Sequence, residues 1–210
     1  MQIVLPAPYK DEGLNKIYNL LFCDQPVLYK TGVEQVSAYP WNILLAPVAA
    51  ADDLQKVIAD ESIETRVKLL AYRLLSAIGQ PVTQKELLGV VIEVGLENGL
   101  DTLAAYKDGT ARYINHSGKM IVWEADNARA ELLIDTLFEK SQEVVAKIGA
   151  WEKSRLPAPG TDNVRLSFLV SDGLYFGQGP FDVLEADAMG GPVIHAATQL
   201  MIFLTQSENR

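Results

Sequence analysis

Between residues 88 and 96 the chain alternates: Leu88, Val90, Ile92, Val94 and Leu96 are apolar, and Gly89, Val91, Glu93 and Gly95 stand between them. A period of two marks a strand that buries one face. Asn98-Gly99 follows with the chemistry of a tight hairpin turn, so a second strand over residues 100–107 runs back beside the first. Asp108-Gly109 supplies another turn before residues 110–115, and Asn115-His116-Ser117-Gly118 a third before residues 119–124. Strands joined by turns this short are antiparallel, because parallel neighbours need a crossover of about a dozen residues or more. The pattern therefore predicts a four-stranded meander. One face of its first strand is the apolar row. The other carries Glu93, with Asp101, Lys107 and Arg112 as candidates to join it, and is expected to be wet, as antiparallel sheets often are on one side.

On either side of the meander the apolar period lengthens to that of a helix. Asp11 can cap a helix with Leu14, Ile17, Leu20 and Leu21 on its stripe, ending near Cys23. Pro47 suits the first turn of a helix reaching about Ala59, and Ser62 opens a stronger one through Val67, Leu70, Leu74, Leu75 and Ile78, stopped by Gly79 and Pro81. These helices are expected to pack on one another and on the apolar face of the meander. Asp126 or Asn127 caps the longest helix, which runs to about Gly149 with Ala130, Leu133, Ile134, Leu137, Val144, Val145 and Ile148 on its buried side.

Residues 152–163, with Pro157, Pro159 and Gly160, read as a linker. Val164, Leu166, Phe168 and Val170 then alternate with Arg165, Ser167, Leu169 and Ser171 as a half-buried strand, and Asp172-Gly173 turns that strand back as a hairpin that joins the sheet. A loop over residues 177–192 leads to a last helix, and residues 2–5 suit a short first strand. The predicted fold class is α+β: an antiparallel sheet built on a four-stranded meander plus a C-terminal hairpin, with helices packed on it. One domain over residues 1–210 is expected, mainly helical over 1–84, with the sheet-containing core over 86–205.

Composition narrows the partners. Of 210 residues 27 are acidic and 18 basic, for a formal charge of −9, and Lys and Arg are scattered without a basic run. A nucleic-acid binder needs a positive surface to release counterions, and an anionic membrane attracts the same kind of patch, so neither partner is expected. The single cysteine, Cys23, has no internal disulfide partner, and the opening Met-Gln-Ile-Val-Leu-Pro lacks a basic n-region and a long apolar h-region. A cytoplasmic protein is expected. Residues 192–204 fall short of the about 20 needed to span a bilayer and include His195 and Gln199, which makes them a core helix.

No motif announces a reaction. The chain holds no His-x-x-x-His, Cys-x-x-Cys or Glu-x-x-His pattern and no Gly-x-Ser-x-Gly elbow, so neither a metal site nor a cofactor is expected. Gly177-Gln178-Gly179 and Gly190-Gly191 fit neither a dinucleotide fingerprint nor a P-loop. Gly191-Pro192 at a helix start can offer N–H groups to an anion, although turn chemistry suffices. Cys23, in an apolar run, reads as packing, and His116 beside Ser117 as a turn residue.

Two function classes follow. In the first the chain is a cytoplasmic binding or protein-interaction module without catalytic machinery. Glu131, Asp135, Glu139 and Glu143 recur every four residues, a like-charge ridge that costs roughly a few tenths of a kcal/mol per pair. Arg129, Lys140 and Lys147 compensate it as a solvated face, and a basic protein partner would also account for it. In the second class the chain is a small-molecule enzyme. Its pocket would lie between the polar sheet face and the 177–192 loop, with His195 as general base and Glu93 or Arg112 positioning the substrate. A third possibility beside these classes is self-association through an exposed strand edge or the apolar last helix.

Overall fold

A computed structural model describes residues 5–30, 37–124 and 126–207, so most of the expected strand over residues 2–5 lies outside the described residues. Six strands form one antiparallel sheet: β1 Leu87–Leu96, β2 Gly99–Tyr106, β3 Ala111–Ile114, β4 Met120–Trp123, β5 Asn163–Val170 and β6 Gly173–Pro180, in the order β4-β3-β2-β1-β5-β6. The chain is α+β, and the meander and the hairpin meet along β1 and β5.

The turns follow local chemistry with one shift. Gly109 and Gly118 take φ of 81° and 87°, and their N–H groups donate to Tyr106 O (3.0 Å) and Asn115 O (2.9 Å), which closes the second and third turns. In the first, Leu96 pairs with Gly99, so Glu97 and Asn98 occupy the corner where Asn98-Gly99 was expected. Gly99 is kept for another reason. At its φ of 147° an added Cβ would lie 2.9 Å from His116 O, because the β3–β4 turn crosses close above it.

Seven α-helices occur among the described residues: α1 Glu12–Leu20, α2 Trp41–Leu44, α3 Ala51–Ala59, α4 Thr65–Ala77, α5 Ala128–Val145, α6 Phe181–Glu185 and α7 Gly190–Ser207. Asp11 caps α1 by accepting from Leu14 N (2.8 Å), and Asn127 caps α5 by accepting from Arg129 N (3.0 Å) and Ala130 N (3.1 Å). Pro47 lies ahead of α3 rather than in its first turn. Ser62 bonds the Asp60 carboxylate, and α4 begins at Thr65, whose N–H is capped from the β2–β3 turn by Asp108 (2.8 Å). The segment expected to be a loop over 177–192 is instead the end of β6, then α6 and the start of α7, because Gly177 and Gly179 pair with Leu166 and Val164.

The sheet is covered on both faces. A register shift between Leu87 and Gly89 turns Leu88 away from the expected row, so Leu87, Val90 and Ile92 pack with α5 and α7. Leu88 and Val91 face the other way, against Tyr18, Phe22 and Leu69 from the N-terminal part. That second face is the one expected to be wet. Glu93 is 0% exposed and Arg112 5%, because α1 and α4 bury their own apolar stripes there. Asp101 lies on the opposite face, in register with Val94, and Lys107 lies exposed in the β2–β3 turn. A third apolar cluster joins α2, α3 and α4, and α4 belongs to two clusters at once, through Leu69 and through Leu70 and Leu75.

Candidate ligand cavity and the placement of the expected site residues

The buried carboxylate of Glu93 is committed to structure. Its Oε1 accepts from the Tyr18 hydroxyl (2.5 Å), and its Oε2 faces Arg165 Nη1 at 3.5 Å. Burial holds its pKa above the ordinary range, against the pull of Arg165 and of the Tyr18 hydrogen bond. Arg165 spends its other donors on Gln178 Oε1 (2.8 Å) and on the linker carbonyls Leu156 O and Pro157 O. The linker can lie this close only because Gly95 has no side chain: a Cβ there would stand 2.1 Å from Gly160 O.

The expected enzyme site is not assembled. Arg112 lies on the same sheet face as Glu93 but donates to Ala111 O (2.8 Å), Trp123 O (3.1 Å) and the Glu124 carboxylate, which closes the β3–β4 ladder. His195 is exposed on α7, across the sheet from Glu93. Cys23 is fully buried, and desolvation pushes its thiol up to about 12, the environment of an inert cysteine. His116 does gain a partner: its Nδ1 lies 3.2 Å from Asp101 Oδ1, which also accepts from His116 N (2.7 Å), while Asp101 Oδ2 accepts from Tyr113 OH (2.8 Å). A cleft of about 660 Å³ runs beside this turn, but the Asp101 carboxylate is spent on holding it. The acidic ridge is in place, with Glu131, Asp135, Glu139 and Glu143 all exposed and Lys140 bound to the last two.

A different site appears where four distant segments meet. A cavity of about 530 Å³ lies between the end of α1, the middle of α4, the segment after α5 and the β5–β6 turn, with Phe22, Asp24, Arg73, Trp151, Arg155 and Asp172 in its wall. The Cys23 backbone takes a left-handed φ of 53°, unusual for a residue other than glycine, and the chain leaves that bend into Asp24. Asp24 Oδ2 accepts from Arg155 Nε (2.7 Å), Arg155 Nη2 donates to Asn19 Oδ1 (2.7 Å), and the guanidinium stacks 4.0 Å from the Phe22 ring.

Arg73 differs from Arg155 in this wall. It is half-buried, and among the described residues it makes no hydrogen bond and no ion pair, although Asp24 and Asp172 are close enough to act on its charge. Desolvation lowers its pKa, and those carboxylates oppose the shift. Beside it, Arg155 Nη1, Asp24 Oδ1 and Asp172 Oδ1 are buried without hydrogen-bond partners. Such orphans are rare in native proteins, and an unmet buried donor or acceptor costs about 1–3 kcal/mol.

Sequence reasoning had no route to this cavity. Arg73 stands off the apolar stripe of an ordinary helix, Asp24 follows a cysteine, Arg155 sits in a linker and Asp172 in a hairpin turn. Among the described residues no group of three or more His, Cys, Asp or Glu is placed to hold a metal ion, and no helix is long and apolar enough to cross a membrane. Comparison with known proteins finds no matching family model, no matching curated protein and no matching solved structure.

Proposed function

We propose that this chain is a binding module of the cytoplasm, without catalytic machinery, that holds a small polar molecule in the cavity beside Arg73. The observation that carries this reading is the half-buried Arg73 guanidinium, in the wall of a concave site with no hydrogen bond or ion pair among the described residues. Arginine is a preferred group for gripping carboxylate and phosphate oxygens, and a cavity of this volume suits a small ligand. The more deeply buried arginines, Arg112, Arg155 and Arg165, are all paired.

The test is native mass spectrometry of the chain purified gently from its own cells, beside the Arg73→Gln variant. A bound small molecule on the parent that is lost from the variant is the expected result. A bare parent, with no rise in melting temperature on addition of a metabolite extract, overturns the reading.

A second reading concerns the surface. Glu131 and Asp135 border a cleft of about 330 Å³ that also includes Asp108, Glu124 and Asp126, and this acidic concentration favours a basic patch on a protein partner.

A further inference from the structure

We infer that the ligand of the Arg73 cavity is a small zwitterion of the α-amino acid class, its carboxylate on Arg73 and its ammonium group on Asp172 and Asp24. This rests on the cavity being a binding site, and adds what the site selects.

The charges in the wall carry the inference. Three cationic side chains, Arg73, Arg155 and the exposed Lys153, and three carboxylates, Asp24, Asp172 and the exposed Glu152, line one cavity. Arg155 and Asp24 already form an ion pair. Arg73 and Asp172 do not: Asp172 and Asp24 act on the charge of Arg73, yet neither comes within ion-pair distance of it. Opposite charges in one partly buried cavity that stop short of contact leave a gap suited to a ligand carrying both signs in the reverse order. A simple anion would meet Arg73 but be repelled by both carboxylates, and a simple cation would face the converse. A zwitterion satisfies both ends.

Hydrogen-bond capacity agrees. Asp172 Oδ2 accepts from the Tyr175 hydroxyl (2.9 Å), and Asp24 Oδ2 is held by Arg155, which leaves one acceptor oxygen without a donor on each carboxylate. An ammonium group brings three donors. Each orphan oxygen is buried, so the ammonium group reaches it only as the carboxylate turns about its soft χ2 torsion and exchanges its present donor for the ligand's. Phe22, Trp151 and Leu174 add apolar surface to the same wall, where a ligand side chain can lie.

The experiment is calorimetric titration of the full chain with free L-amino acids, and, for those that bind, with their N-acetyl and carboxamide derivatives. Charge-assisted hydrogen bonds at each end make the expected loss about tenfold or more for either blocked form. In Arg73→Gln the preference for acid over carboxamide should disappear. In Asp172→Asn the preference for the free amine over the N-acetyl form should shrink, with both variants checked for an unchanged circular dichroism spectrum. Equal binding of an N-acetyl derivative overturns the inference in favour of an anion site, and equal binding of a carboxamide overturns it in favour of a cation site. If no amino acid binds while native mass spectrometry still finds an Arg73-dependent small molecule, the zwitterion is wrong and the binding function stands. If neither experiment finds a ligand, both fall together. The blocked ligands need no variant, so the inference stays open to refutation even if a substitution impairs folding.

Discussion

At the scale of single residues, the most informative side chain is Glu93, an ionisable group in the middle of a strand that is buried on both faces. Its pairing with Tyr18 and Arg165 converts what would be an isolated buried charge into a satisfied one. Tyr18→Phe strips one oxygen of its donor and is expected to cost about 1–3 kcal/mol, read as a lower urea midpoint with an unchanged slope. The acid–base consequence has a definite sign. Because the folded chain holds the Glu93 proton more tightly than the unfolded chain, this group stabilises most in acid. Its contribution declines as pH rises from the unfolded carboxyl value of about 4.3 through the raised folded one. Glu93→Gln keeps an acceptor for Tyr18 and removes the titration, so its stability is expected to fall less steeply than that of the parent between about pH 4 and 7. Urea midpoints across that range decide it: parallel curves for the two proteins would refute the assignment.

At the scale of elements, two helix starts contrast in how they are capped. Asn127 caps α5 from the adjacent position, as its sequence context predicts, whereas α4 has no local side-chain cap and takes Asp108 from the β2–β3 turn. Burial by itself would raise the Asp108 carboxyl, but the N–H groups of Thr65 and Thr110 and the Thr110 hydroxyl donate to it and hold it below the ordinary value. Both Asn127→Ala and Asp108→Ala should cost about 1 kcal/mol. They should differ in reach. Hydrogen exchange in the first is expected to rise only in the first turn of α5, and in the second both in the first turn of α4 and in the β2–β3 turn. A rise confined to the turn in Asp108→Ala would mean that the long-range cap contributes nothing. Local capping is legible because donor and acceptor are neighbours in sequence, and a cap from a residue 43 positions away is not.

At the scale of the whole molecule, part of the net charge of −9 stands on α5 and its flank, where residues 124–147 hold six acidic and three basic side chains. If that surplus serves a partner, Asp135→Lys combined with Glu139→Lys should weaken its binding and leave the melting temperature nearly unchanged, since both residues are exposed. Pull-down from the cells of origin with parent and variant is the measurement, and equal capture would remove the ridge from the protein's function. The sequence by itself determined the antiparallel meander, the C-terminal hairpin and most of the helices, because period and turn chemistry act between residues a few positions apart. It also marked Glu93 as the one charge among the apolar residues of the first strand. Tertiary structure decided which sheet face is covered, because that depends on where the stripes of α1 and α4 find apolar area to bury, and no local pattern records it. It likewise placed His195 across the sheet from Glu93 and Arg112, and gathered Asp24, Arg73, Arg155 and Asp172 into one cavity. Those four residues are spread over about 150 positions of chain, and their charges became neighbours only when the helices, the linker and the hairpin packed.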